Sequence, residues 1–223
     1  MLAAESYENL IEQLSKAFIE RYSRRPRVFA TGLLLFQPQS DFSKREIVPH
    51  LEYLDANSAN YIDFFCVGFK ATPLVDEQPK ATVAKSTDSW WTFYPAKFAE
   101  FKRGLEADFS YDKKSWRYSG GTDFLLFNAI FDHQKSEVEL GFETIMAVDL
   151  EAAKNAKAID SVVKFLELVV RLAEVQDLND PVYKMSDQLA LHLGRKEICD
   201  VFFDLLPFKF GERAKKFEHF AVQ

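Results

Sequence analysis

The stretch that decides the fold is GLLLFQPQSDFSKREIVPHLEYL, residues 32–54. It joins a continuous apolar run to a polar turn, and the turn leads into a segment of helical periodicity. The apolar run covers residues 27–36 and lies between Pro26 and Pro38. An apolar run of this length between two prolines is typical of a buried strand.

The segment after the turn predicts a helix over residues 43–57. Ser43 and Glu46 have the spacing of a capping box, and the apolar residues that follow repeat at intervals of three and four. Pro49 falls in the second turn of this helix, where it should produce a kink. A second apolar run over residues 61–69 predicts another buried strand. The two strands and the helix form a β-α-β unit, which implies parallel strands.

The rest of the chain continues this alternation of helices and strands. Residues 70–92 contain two prolines and many small polar residues, and they read as a long loop. Residues 123–131 and 137–148 read as two strands joined by a short turn, which favours an antiparallel hairpin. The remaining predicted helices are an amphipathic one over 5–24, one that begins at Pro95, and the longest one over 151–175.

Behind the leading helix, the elements follow the order β-α-β, loop, α, β-β, α. This order resembles the core of a thioredoxin-like domain over residues 27–175, and Pro49 matches the kinked helix of that fold. The resemblance implies a redox Cys-x-x-Cys in the turn after the first strand, but the turn reads QPQSDFS. It also implies a cis-proline before the third core strand, where residues 119–122 read Ser-Gly-Gly-Thr. A Rossmann-like or receiver-like sheet stays open as an alternative, because one β-α-β unit serves many folds.

Length and composition predict one α/β domain over residues 1–223. A core over 27–175 carries the thioredoxin-like mixed sheet with its N-terminal helix, and residues 176–223 form a C-terminal extension in which MSDQLALHLG suggests a short helix. The net charge of −6 argues against a nucleic-acid partner. Cys66 and Cys199 lie among apolar residues, as buried free thiols do. With no basic-then-apolar leader and no long apolar run, we expect a cytoplasmic protein without a membrane segment.

Enzymatic chemistry finds little support in the sequence. The four histidines lie in no catalytic motif, and no zinc-ligand spacing occurs, so we expect no metal and no cofactor. Disulfide exchange is excluded because the thiols that it needs are absent. A defence-system or toxin component with nuclease chemistry would draw on Asp123, Glu139 and Glu143. However, neither glutamate is followed by lysine two residues later, and both fit the polar side of a half-exposed strand.

Two polar loops are candidate ligand sites. The 37–43 loop would place backbone amides at a helix start, although Asp41 or Ser43 there is also an ordinary helix cap. The 119–123 turn has hydroxyls and glycines that can surround an anion, although it leads into a strand and a tight turn explains it as well. The candidate ligand-binding residues are Ser40, Asp41, Ser43, Ser119, Gly120, Gly121, Thr122 and Asp123.

A cluster of aromatic residues between positions 90 and 118 is the candidate partner surface. Tryptophan and tyrosine are enriched at binding hot spots, although packing in the core explains such a cluster equally well. The candidate partner-binding residues are Trp90, Trp91, Tyr94, Trp116 and Tyr118. The leading hypothesis is therefore a non-redox thioredoxin-like module that binds a protein partner or a second copy of itself. The alternative hypothesis is an enzyme or sensor for a nucleotide or phosphate ligand.

Overall fold

The computed structural model describes residues 2–21, 28–58, 62–76, 78–79, 81–85, 88–111, 116–132, 134–174 and 180–193. The strands are β1 (Leu2–Ala4), β2 (Val28–Leu35), β3 (Asp63–Val67), β4 (Phe69–Pro73), β5 (Thr82–Lys85), β6 (Ser89–Phe93), β7 (Asp123–Asp132) and β8 (Glu137–Asp149). The α-helices are α1 (Tyr7–Arg21), α2 (Asp41–Glu46), α3 (Leu51–Ser58), α4 (Pro95–Tyr111), α5 (Leu150–Asn155), α6 (Val162–Ala173) and α7 (Pro181–Leu193). The protein is thus an α/β protein.

A mixed five-stranded sheet lies at the centre of the fold, with the order β1-β3-β2-β7-β8. Strands β1 and β2 each pair in parallel with β3, which confirms the predicted β-α-β unit. Strand β7 pairs antiparallel with β2 and with β8, which confirms the predicted hairpin. Strand β2 is therefore central, with one parallel and one antiparallel neighbour.

The strands β2, β3 and β7 are buried along nearly their whole length, as their continuous apolar sequences require. Gly32 in β2 lies under two aromatic rings. A side chain at this position would place its Cβ 2.5 Å from Cδ1 of Phe64 and 2.9 Å from Cε2 of Phe124. The absence of a side chain at Gly32 therefore lets the two rings pack over the middle of the sheet.

The helix predicted over residues 43–57 is divided into three parts. Helix α2 ends before a 3₁₀ turn at Val48–His50, which contains Pro49, and α3 follows it. The break has the cause predicted, since proline cannot continue the hydrogen-bond ladder of an α-helix. The predicted capping box is wrong, because the cap is Ser40. Its hydroxyl accepts a hydrogen bond from the Ser43 backbone N–H at 3.1 Å.

The long loop predicted over residues 70–92 is wrong. Gly68 has a φ of +79°, and it ends β3 one residue before β4 begins. Strands β4, β6 and β5 then form a second, antiparallel sheet in that order. Each of these strands is only four or five residues long, so none carries enough alternation to stand out beside the prolines between them.

The single long helix predicted over residues 151–175 is also wrong. Helix α5 is capped by Asp149 and ends within two turns, and α6 begins after a new cap at Ser161. The longest helix among the described residues is α4, with 17 residues, and not a helix of the 151–175 segment. The apolar face of α6 packs on the sheet as expected, and the ring of Phe165 meets that of Phe124 edge to face.

At the two ends of the described chain, β1 joins the central sheet and α7 packs against it. The leading helix is confirmed as α1, but β1 before it has only three residues and gave no periodic signal. At the other end, α7 confirms a helix in the C-terminal extension. The Asp180 carboxylate fixes its start by accepting hydrogen bonds from the Asn128 amide and the Thr144 hydroxyl, both at 2.8 Å. The extension beyond α7, including Cys199, lies outside the described residues.

Candidate functional site

The two polar loops predicted as ligand sites meet in the structure. The Ser40 hydroxyl donates to the Ser43 hydroxyl at 2.8 Å, and the Ser43 oxygen lies 3.4 Å from the Thr122 hydroxyl oxygen. Ser43 and Thr122 are fully buried. A row of three hydroxyls therefore joins the start of α2 to the residue that precedes β7.

The register of the central sheet explains this meeting. Leu35, the last residue of β2, pairs with Asp123, the first residue of β7. Because these strands are antiparallel neighbours, the loop that leaves β2 and the turn that enters β7 lie at the same end of the sheet. The sequence separation between the two loops is about eighty residues, but their hydroxyls become neighbours.

The segment from Trp116 to Asp123, which we call the 116–123 turn, is closed by internal hydrogen bonds. The Asp123 carboxylate accepts from the Ser119 backbone N–H at 3.0 Å and from the Ser119 hydroxyl. The Ser119 oxygen in turn accepts from the Gly121 N–H at 3.1 Å. Gly120 has a φ of +92°, a conformation that glycine adopts without strain. These bonds hold a tight turn, with Ser119 and Gly120 exposed at its tip.

Acidic groups dominate the electrostatics of the 116–123 turn. Asp123 is only 2% exposed, and its burial raises the pKa of its carboxyl to about 6, against opposing hydrogen bonds from Ser119. The negative charge of Asp149, which pairs with Asp123 across β7 and β8, acts in the same direction as burial. Burial, followed by the charges of Asp123, Asp149 and Glu151, raises the pKa of the Tyr118 phenol.

Asp149 and Glu151 were not among the residues predicted from sequence. Asp149 is the cap of α5, since its side chain accepts a hydrogen bond from the Ala152 N–H at 2.9 Å. Glu151 lies against Gly121, where a Cβ would come within 3.0 Å of a Glu151 carboxylate oxygen. An aspartate directly before a helix is a recognisable cap signal, but the predicted helix boundary did not place it beside the 116–123 turn.

The five aromatic residues predicted as a partner surface divide into two groups. Trp91 and Trp116 are 2% and 7% exposed and belong to the core. Trp90 and Tyr118 are half-buried, while Tyr94 is 40% exposed. Only these last three present a ring surface to solvent, so packing accounts for much of the cluster.

Phe98 contacts Tyr94 through its backbone and Tyr118 through its ring. The Phe98 backbone N–H donates to the Tyr94 carbonyl oxygen at 2.9 Å, and the Phe98 ring meets that of Tyr118 edge to face at 5.5 Å. The Tyr118 hydroxyl donates to the carbonyl oxygen of Gly121. A continuous chain of contacts therefore runs from the exposed Tyr94 to the 116–123 turn.

The carboxylates considered for nuclease chemistry are not brought together. Asp123 begins β7, whereas Glu139 pairs with Ile130, seven residues further along the strand, or about 23 Å away. Glu139 instead forms an ion pair with Lys135 at 2.6 Å. The side chain of Glu143 lies outside the described part of the chain. Among the described residues, no group of three or more histidine, cysteine, aspartate or glutamate side chains could hold a metal ion.

A separate groove of about 320 Å³ lies between the first turn of α1 and α4. None of the predicted site residues lines it. Its polar side chains pair with one another: the Tyr7 hydroxyl is hydrogen-bonded to Asp108, and the Lys97 ammonium lies 3.3 Å from Glu100. The groove therefore presents few polar groups that lack a partner to a ligand.

No protein-family model matches the chain, and no similar curated protein or solved structure is found. Within the described ranges, no helix is both long and apolar enough to cross a membrane.

Proposed function

We propose that this protein is a non-redox thioredoxin-like domain of the cytosol that binds a protein partner. The parallel pair β2 and β3, the antiparallel hairpin of β7 and β8, and the proline break after α2 agree with the element order that motivates the thioredoxin-like assignment. Ser40 and Ser43 also stand at the spacing of a Cys-x-x-Cys motif at the start of a helix. Serine hydroxyls replace thiols there, so the loop keeps its shape without redox chemistry.

The observation that carries the proposed binding site is the contact between Ser43 and Thr122. It makes one surface of two loops, with Asp41, Ser119 and Gly120 exposed on it. Tyr118 and the buried Phe98 link the 116–123 turn to Tyr94, whose side chain is exposed. We call this combination of polar loop tips and exposed tyrosine the loop surface. Exposed backbone groups beside an accessible aromatic ring suit the recognition of another polypeptide.

A phosphate ligand is less well supported by the same geometry. The charges of Asp123, Asp149 and Glu151 all act on the 116–123 turn, as the raised pKa of Tyr118 reports. A phosphate group placed at this turn would meet these carboxylates and be repelled. Helix α2 is also only six residues long, which limits the dipole that it could offer to an anion.

A pair of cysteine substitutions tests the thioredoxin-like loop geometry. The double variant Ser40→Cys with Ser43→Cys, made in a Cys199→Ser background, is expected to form an intramolecular disulfide on mild oxidation. The reason is that the two hydroxyl oxygens are already 2.8 Å apart, so two sulfur atoms need little backbone movement to bond. Thiol titration of the denatured protein should show the loss of both new thiols and their return on reduction.

Single variants provide the controls for this measurement. Ser40→Cys or Ser43→Cys alone should keep its thiol, because Cys66 is fully buried and cannot pair with it. If the double variant kept both new thiols free under conditions that oxidise exposed dithiols, the loop would not have the proposed geometry.

Site-specific photo-crosslinking tests the loop surface. A photoreactive phenylalanine analogue at Asp41 or Arg117, which are exposed on the two loops, is expected to give a discrete adduct when the protein is expressed in the cells from which the sequence derives. The same group at Lys135, at the opposite end of β7 and β8, is the matched control, since that lysine is also exposed. Mass spectrometry of the adduct distinguishes a second copy of this chain from another protein.

Substitution of Tyr94 measures how much its exposed ring contributes to partner binding at the loop surface. Tyr94→Ala should lower the yield of the adduct at Asp41 about tenfold, as expected when a binding interface loses an aromatic side chain. The proposal fails if Asp41, Arg117 and Lys135 give equal labelling, or if Tyr94→Ala leaves the adduct at Asp41 unchanged.

A further inference from the structure

One buried carboxyl group holds the 116–123 turn closed. Asp123 accepts from both the backbone N–H and the hydroxyl of Ser119. The side chain of Trp116 also forms a hydrogen bond to this carboxylate. Both ends of the turn therefore depend on Asp123, although Ser119 and Gly120 at the tip are exposed.

The neighbours of Asp123 across the sheet repel its negative charge or leave it without a compensating positive charge. On one side β2 contributes the apolar Leu35, and on the other β8 contributes the carboxylate of Asp149. The neighbouring hydroxyls of Ser43 and Thr122 carry no charge. The turn itself contains one cation, Arg117, which is exposed to solvent. Three further charged groups lie near Tyr118: Glu151 of α5, Glu106 of α4, which accepts from the Tyr118 N–H, and Lys102 of α4, whose ammonium lies 5.8 Å from the Tyr118 ring.

Opening of the turn would transfer the Asp123 carboxyl from this site to water. Burial raises the pKa of the closed form to about 6, against an ordinary value of 3.8, with the charge of Asp149 acting in the same direction. The hydrogen bonds from Ser119 and Trp116 favour the ionised carboxylate and oppose this shift, but burial outweighs them. The closed turn thus binds the proton more tightly than the open turn, and closure weakens as the pH rises from about 4 to about 6.

We propose that the 116–123 turn is a pH-sensitive latch that Asp123 releases when it ionises. Release would separate Tyr118 from Gly121 and loosen Thr122 beside Ser43, and so change the loop surface. The influence on partner binding rests on the proposed function, whereas the opening itself does not. The latch would therefore tie the shape of the loop surface to the pH between about 4 and about 6.

Amide hydrogen exchange measured by NMR tests the latch without any partner. In the wild-type protein, the protection factors of the Ser119 and Gly121 amides should be about tenfold greater at about pH 5 than at about pH 7.5. The tenfold ratio follows from the pKa values of the Asp123 carboxyl in the closed turn and in water. Protection factors already correct for the intrinsic pH dependence of amide exchange. Amides in α6 provide the reference for exchange through opening of the whole domain.

Two variants separate the latch from a general effect of pH. Asp123→Asn should abolish the tenfold change, and Asp149→Asn, which keeps a good cap for α5, should move its midpoint to lower pH. The latch is overturned if the wild-type ratio is near one, if Asp123→Asn retains the change, or if Asp149→Asn leaves the midpoint in place. A pH-dependent latch without adducts at Asp41 and Arg117 would refute the binding function alone, and adducts without the latch would refute the latch alone.

Discussion

Replacing Gly68 with valine is expected to destabilise the protein by about 4 kcal/mol. The φ of +79° at this position costs a residue with a side chain about 1–2 kcal/mol, and β-branching adds to that cost. A Cβ at Gly68 would also lie 2.6 Å from the Cβ and 2.9 Å from the Cα of Phe98. Because one of these contacts is with backbone, α4 would have to move away, which adds about 1–3 kcal/mol.

Equilibrium unfolding in urea measures this effect. Gly104→Ala in the middle of α4 is the matched control, since a Cβ there meets nothing within 4 Å. That variant should be more stable than the wild type by about 0.5–1 kcal/mol, because alanine is the better helix former. A Gly68→Val protein within 1 kcal/mol of the wild type would show that β3 and β4 do not require the left-handed residue between them.

Gly68 also shows what the sequence could not disclose about the fold. The run over residues 61–69 is largely apolar, so periodicity placed one strand where the structure has the whole of β3 and the start of β4. The glycine between them changes the chain direction and sends the next segment into the second sheet. Its effect comes from the close approach of Phe98, a contact between residues thirty positions apart that no local pattern carries.

The central sheet was predictable because its signals are long and consistent. The apolar runs of β2 and β7 cover eight and ten residues, and the short link before β8 permits little besides a hairpin. Strands β4, β5 and β6 have four or five residues each, and their stability comes from pairing with one another. Pairing of this kind depends on register between segments, which a single sequence does not display.

The sequence identified individual residues of the candidate site, but it did not show which aromatic residues are exposed or that the surroundings of Asp123 are acidic. The sequence identified the 37–43 loop and the 119–123 turn only as separate candidates, and the register of β2 with β7 is what brings the hydroxyls of Ser43 and Thr122 together. The exposure of the aromatic residues was not predictable, since Trp90 and Trp91 are neighbours in sequence and only the packing of β6 decides which is buried. The acidic surroundings of Asp123 depend on Asp149, which β8 supplies through its register with β7.

Truncation of Phe124 to alanine is the other substitution for which we expect a large loss, about 3–5 kcal/mol. Phe124 is fully buried, and its ring meets those of Phe64 and Phe165 edge to face at 5.8 and 5.7 Å. It thus joins β3, β7 and α6 in one aromatic cluster. Because Phe124 directly follows Asp123, a cavity at this position would also loosen the strand on which the 116–123 turn is built.

A double-mutant cycle with Gly32 tests this packing directly. Gly32→Ala alone should cost about 1–3 kcal/mol, since its methyl group would be forced against the rings of Phe64 and Phe124. In the Phe124→Ala background the new methyl group gains room, so the same substitution should cost about 1 kcal/mol less or become favourable. Strictly additive free energies of unfolding would mean that Phe124 does not occupy the space above Gly32.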